Sequence, residues 1–276
     1  MPFEFTINPY RGCEFACHYC YARYTHEFLE LRDPHEFESK IFAKQFNPDL
    51  LRQDLRRMDP SKRIALGTAT DPYQPAERRF EVTRRVLEIL ARFEGLHLGI
   101  VTKSDLITRD LDLLETIGHR SSLSVNITVT TVDAKLARLL EPRAPRPDLR
   151  LRTVRILRQA GIETGVLCCP LLPLINDSEP QLDSLARAVA AAGAQWLHGN
   201  VLYLPQAARG AWFPFLAKQF PHLARKYRDH FHNSVYLRGP YVDMVKERLR
   251  RVRKRHRFEP RSQAAPAVVS KQMELW

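Results

Sequence analysis

The sequence predicts an α/β fold, a partial (β/α)6 TIM-type barrel with a helical, basic C-terminal extension. Three observations carry this reading. Hydrophobic runs of strand character alternate with stretches of helical period, the runs recur six times, and an aromatic helical pattern takes over beyond Trp212. Six βα units make an open barrel rather than the closed eight.

The strands are predicted over residues 3–7, 63–66, 96–102, 123–130, 163–169 and 196–203. Between them, Val86, Leu87, Leu90 and Phe93 mark one amphipathic helix, and Ile107, Leu111 and Leu114 another. Leu151, Val154 and Leu157 continue the pattern as far as Gly161, a reasonable helix stop; Leu182, Leu185, Ala186 and Val189 repeat it before Gly193. Phe213, Phe215, Phe220, Tyr227 and Phe231 read as packing residues of the extension. The organisation expected is a barrel over 1–210, a helical extension over 211–258 and a flexible tail over 259–276, rich in Ser, Gln, Ala and Pro.

Composition narrows the class. A 276-residue chain with 44% hydrophobic residues buries a sizeable core, and 27% charged residues with only short apolar runs argue against disorder and a membrane span. No signal-peptide core precedes the first cysteine, so a cytoplasmic location is expected. The net charge of +12 favours a polyanion in principle. Residues 244–257, however, hold eight Lys/Arg against one Glu, so nucleic-acid binding is weighed mainly for this one segment.

The sharpest signal is Cys13, Cys17 and Cys20, spaced C-x3-C-x2-C. Three thiolates can wrap one face of a 4Fe-4S cubane and leave one iron open for chemistry. The spacing alone leaves alternatives standing: a structural zinc with His18 as fourth ligand, giving a nucleic-acid-binding module, or three core cysteines without a ligand.

The string NPYRGCEFACHYCYARYTHEF over residues 8–28 resembles the spore photoproduct lyase-like branch of the radical S-adenosylmethionine (SAM) superfamily. The resemblance implies a 4Fe-4S cluster on the three cysteines, SAM chelating the open iron, and one-electron cleavage of SAM to a 5′-deoxyadenosyl radical. It also implies an external electron donor of flavodoxin or ferredoxin type and an unknown substrate. Tyr19 and Tyr21 match family tyrosines near the cluster. The family places SAM's ammonium against the loop carrying Thr70 and Asp71, whose bland alternative is a proline-rich turn. Lys103 is expected to pair with SAM's carboxylate, with Ser104 beside it as a helix cap. Asn126 and Thr128 share one strand face with Thr130 and suit a ribose, a carboxylate or buried water. Arg143 lies in a loop, Glu141 to Arg146, that resembles a family loop and also reads as an ordinary turn. Of Cys168 and Cys169, adjacent on a strand, one looks into the barrel, either packing inertly or donating a hydrogen atom or binding substrate. Photoproduct lyases carry a hydrogen-donating cysteine in the loop after strand two; residues 66–75 contain none, and Thr68 cannot replace it, so photoproduct repair is not expected.

Overall fold

The computed structural model describes residues 3–258; the expected tail over 259–276 lies outside the described residues. Strand β1 (Phe5–Ile7) leads into the short β2 (Tyr10–Arg11), and two single turns, α1 (Tyr24–Glu27) and α2 (Glu36–Ser39), precede β3 (Phe42–Ala43). Then come α3 (Pro48–Arg57), β4 (Arg63–Leu66), the turn α4 (Glu77–Phe80), α5 (Val82–Leu90), β5 (His97–Thr102), α6 (Leu111–Arg120) and β6 (Ser122–Thr128). The alternation continues through α7 (Ala134–Leu140), α8 (Pro147–Gln159), β7 (Glu163–Leu171), α9 (Glu179–Ala191) and β8 (Leu197–Val201). The last described helices are α10 (Gln206–Gln219), α11 (Pro221–Phe231) and α12 (Pro240–Arg255).

Local chemistry explains several of these boundaries. Asn47 accepts the backbone N–H of Asp49 at 2.9 Å and Pro48 opens α3; Asp133 does the same for α7 through Lys135; Ser178 and Gln181 form a capping box at α9. Six parallel strands pair in the order β1-β4-β5-β6-β7-β8, the open barrel expected, while β2 and β3 form a separate antiparallel pair.

Strand alternation divides the sheet. Ile64, Leu66, Leu98, Ile100, Val125, Ile127 and Val166 share one core with Val86, Leu87 and Leu90 of α5 and with Val154 and Leu157 of α8. This is the outer, helix-covered face, so Ser124, Asn126, Thr128, Gly165, Leu167 and Cys169 face inward. Trp196 closes the lower interior: its indole N–H donates to Asn126 Oδ1 at 3.0 Å, and a Cβ added at Gly165 would stand 2.2 Å from its ring.

The extension over 211–258 is built into both cores. Val245, Leu249 and Val252 of α12 join the main core. Trp212, Phe215, Tyr227 and Phe231 join a second core that also contains Cys13, Phe15, Cys17 and Tyr19. The extension thus supports the cysteine loop directly.

Candidate active site

The cysteine loop lies at the carboxyl ends of the strands. Gly12, at φ +83°, turns the chain into it, where a Cβ would meet the Phe37 carbonyl oxygen at 2.8 Å, and Ala16 takes φ +56° between the first two cysteines. The loop is clamped by backbone bonds: Cys13 N–H to Phe37 O at 3.0 Å, His18 N–H to Leu140 O at 3.1 Å, and Arg143 N–H to Phe15 O at 3.3 Å. Cys13 and Cys17 are buried, Cys20 is half-buried, and none is in a disulfide. Burial pushes all three thiols up, Cys17 to about 12, against the pull of the Lys103 cation on Cys17 and of Arg23 and Lys103 on Cys20. Asp71 and the other two thiols are among the groups repelling a charge on Cys13. Thiols so placed ionise readily only beside a strong cation, which is what iron supplies. The donor set therefore fits an iron–sulfur cluster. His18 is taken up elsewhere: its ring stacks on Phe215 with centroids 4.2 Å apart. Among the described residues, no three His, Cys, Asp or Glu side chains converge tightly enough for a single ion.

The loop after β4 braces the cysteines. Thr70 Oγ1 donates to Gly12 O at 2.6 Å; the wholly buried Gln74 donates to the same carbonyl at 3.1 Å and accepts Glu14 N–H at 2.9 Å. Asp71 accepts the Thr102 hydroxyl at 2.6 Å and the backbone N–H groups of Lys103 (2.7 Å) and Tyr73 (3.0 Å). Burial lifts its carboxyl above the ordinary range, opposed by those hydrogen bonds. Ser104 caps the 3-10 turn over Asp105–Asp110 by accepting Leu106 N–H at 3.2 Å. The cap leaves the half-buried Lys103 ammonium 5.8 Å from the centroid of the Tyr19 ring.

Thus Tyr19, Thr70, Asp71, Lys103 and Ser104 come together around the cysteine loop. Asn126 lies deeper, its side chain spanning Trp196 and, at 3.4 Å, the Ile100 carbonyl. Thr128 is buried on the same inner face and its carbonyl accepts from Arg150 at 3.1 Å. Tyr21 is 41% exposed at the rim, its hydroxyl donating to Thr68 O and its ring 6.0 Å from that of Tyr203. Cys168 turns outward: its Sγ lies 3.3 Å from His198 O and packs toward Leu249. Cys169 therefore is the inward thiol, with Lys103 among the charges that act on it.

Two residues escaped the sequence reading. Glu141 and Arg150 form an ion pair of 2.5 Å, with side chains 0% and 1% exposed, behind Tyr19. Tyr19 donates its hydroxyl to Glu141, Thr130 donates at 3.2 Å, and Arg150 also donates to Pro145 O at 2.7 Å. Arg143, the residue singled out in this loop, is exposed and contributes its backbone. The signal was present in α8: Arg150 falls on the buried face with Val154 and Leu157, where a lone cation demands a partner.

The basic segment is substantially paired within the chain. Arg251 meets Glu179 at 2.7 Å, Arg255 meets Asp183 at 2.6 Å, and His256 meets Asp183 at 3.0 Å, all across to α9. No described helix is long and apolar enough to cross a membrane.

Comparison with known proteins agrees with this geometry. An uncharacterised protein of Mycobacterium tuberculosis is 36% identical over 96% of this chain and 78% of its own length. One from Methanocaldococcus jannaschii is 30% identical over 64% of this chain and 63% of its own. A spore photoproduct lyase variant with bound AdoMet and dinucleoside spore photoproduct superposes with TM-score 0.68 over 92% of this chain and 74% of that one, at 17% identity. Streptococcus suis SuiB bound to S-adenosylmethionine gives 0.54 over 89% and 52%, at 14% identity. At such identities the structures speak for the fold alone. The family itself is shown by sequence, since the profile of the radical SAM superfamily matches residues 7–186, from the end of β1 into α9 and across the whole cysteine loop. This chain belongs to the radical SAM superfamily.

Proposed function

We propose that the protein is an enzyme that holds a 4Fe-4S cluster on Cys13, Cys17 and Cys20 and binds SAM at the iron they leave open. The observation that carries this is the position of three unpaired thiols on one loop at the carboxyl ends of a six-stranded parallel barrel, where binding groups collect. When bound, the cluster and SAM supply reductive cleavage of SAM to a 5′-deoxyadenosyl radical that takes hydrogen from a substrate.

The chain's own residues orient and shield that chemistry. Lys103 presents a cation beside the cysteine loop and suits the carboxylate of SAM. Asp71 holds the Lys103 backbone and Thr70 holds the Gly12 carbonyl, so both fix the walls of the site. Trp196 excludes water from below, and Tyr21 with Tyr203 lines the outer rim. Cys169, on the inner face, is the thiol placed to meet a substrate. Electrons come from an external donor of flavodoxin or ferredoxin type.

Anaerobic reconstitution with iron and sulfide, reduction with dithionite and chromatography for 5′-deoxyadenosine test the proposal; iron-loaded protein that leaves SAM intact would end it. Once a substrate is in hand, Cys169→Ala is expected to impair turnover and Cys168→Ala to spare it. Unchanged turnover in both removes the thiol from the mechanism.

A further inference from the structure

Glu141 is wholly buried beside the cysteine loop, yet nothing in the proposed chemistry uses a carboxylate there. Burying a charge is costly unless it is paired and hydrogen-bonded. Arg150 meets that need at 2.5 Å, and its remaining donors reach the carbonyls of Pro145 (2.7 Å) and Thr128 (3.1 Å). The neutralised carboxylate then offers Oε1 to two hydroxyls, those of Tyr19 and Thr130. Tyr19 sits between Cys17 and Cys20, and the face of its ring lies 5.8 Å from the Lys103 ammonium. A ring is held at its hydroxyl by Glu141 and carries a cation on its face.

We propose that Glu141 is a positioning residue: by accepting the Tyr19 hydroxyl it fixes the ring that seats Lys103 for the carboxylate of SAM. This rests on the SAM-binding reading above. Arg150 serves by allowing the carboxylate to be buried. Attraction between a half-buried ammonium and an aromatic face falls between the exposed and desolvated limits, and a loss of about 1.4 kcal/mol within that range weakens ligand affinity about tenfold.

Three variants separate this role from general support of the fold. Tyr19→Leu removes the ring. Glu141→Gln/Arg150→Met removes both charges and keeps an acceptor for Tyr19, whereas Glu141→Leu/Arg150→Met removes charges and acceptor alike. Each is reconstituted anaerobically, checked for iron content and for a cooperative thermal transition, and titrated with SAM. The readouts are the change in the electron paramagnetic resonance of the reduced cluster and equilibrium dialysis of labelled SAM. Tyr19→Leu and the leucine double variant are expected to bind SAM about tenfold more weakly, and the glutamine double variant within about threefold of wild type. Should the leucine variant not fold, Tyr19→Leu against the glutamine variant decides. Wild-type affinity in Tyr19→Leu, or equal weakening in it and the glutamine variant, overturns the proposal. Wild-type protein that takes up no iron, or whose cluster signal ignores SAM, instead refutes the SAM-binding reading itself.

Discussion

Gly67 ends β4 at φ +86° and starts the loop that carries Thr70, Asp71 and Gln74. A Cβ there would lie 2.4 Å from Pro72 Cδ and 2.7 Å from the Val101 carbonyl oxygen, distances at which backbone has to move. Gly193, at φ +79°, shares the left-handed conformation but has nothing within 4 Å of the same position. Alanine at either site takes on roughly 1–2 kcal/mol of backbone strain, partly offset by about 0.4–1 kcal/mol through a less flexible unfolded chain. Only Gly67→Ala adds the cost of overpacking, about 1–3 kcal/mol. The expected losses are therefore about 2–4 kcal/mol for Gly67→Ala and about 1 kcal/mol or less for Gly193→Ala, a gap of roughly 3–10 °C in thermal midpoint for a chain of this size. The shift at residue 67 passes through Pro72 to Asp71 and its 2.7 Å bond to Lys103 N–H, so SAM affinity falls in this variant while cluster iron is retained. Paired thermal melts and SAM titrations decide it. If the two variants melt together, crowding by Pro72 and Val101 is not what reserves the site for glycine.

Burial opposes ionisation of Glu141, but Arg150, Lys103 and the Tyr19 hydroxyl outweigh it and hold the carboxyl below its ordinary value. A depressed folded value means its stabilisation is intact above the ordinary range near ~4.3 and fades as pH falls below that. The urea midpoint of wild type should thus drop more steeply between about pH 5 and 3 than that of Glu141→Gln/Arg150→Met; parallel curves would contradict this. Asn126→Leu removes the acceptor of the Trp196 N–H and should cost about 1–3 kcal/mol in a denaturant titration; weakened SAM binding would place Asn126 in the cofactor site, and unchanged binding would make it a scaffold residue. Because Arg251 and Arg255 are paired with α9, Arg251→Gln/Arg255→Gln should barely alter single-stranded DNA retention at about 0.15 M salt, as a filter assay would register. Loss of a tight complex would place nucleic acid on α12.

The barrel was legible because each inner unit has its own period: alternation for strands, a stripe such as Val86, Leu87 and Leu90 for helices. What was missed has no period to read. Two-residue strands such as β2 and β3, and single turns such as α1, α2 and α4, are fixed by contacts distant in sequence. The strand expected to reach Thr130 stops at Thr128, and beyond it the Thr130 carbonyl accepts the Asn176 side chain at 3.0 Å in place of a strand partner. The cysteine loop is visible from spacing, whereas Glu141 reads only as the start of a turn and its partner Arg150 belongs to the following helix, so no local pattern joins them. The aromatic residues of the extension pack as their pattern predicts, but nothing local in the sequence shows that Trp212 and Phe215 join the core that holds Cys13 and Cys17.

Polarity at the site follows from a distinction that residue type alone conceals. Asp71, Thr70 and Asn126 each looked like an acceptor for a ligand, yet each is already engaged: Asp71 by one hydroxyl and two backbone N–H groups, Thr70 between Gly12 and Gln74, Asn126 by an indole. A buried acceptor with its partners in place gains little by exchanging them. Lys103 differs, for its ammonium rests on an aromatic face and, among the described residues, takes no carboxylate within ion-pair distance. The negative groups near it raise its affinity for the proton against the opposing pull of burial, which keeps it cationic. Asp71 and Glu141 thus act as scaffold, and the charge beside the cysteine loop that takes no carboxylate partner among the described residues is positive, which is the complement of the carboxylate proposed for it.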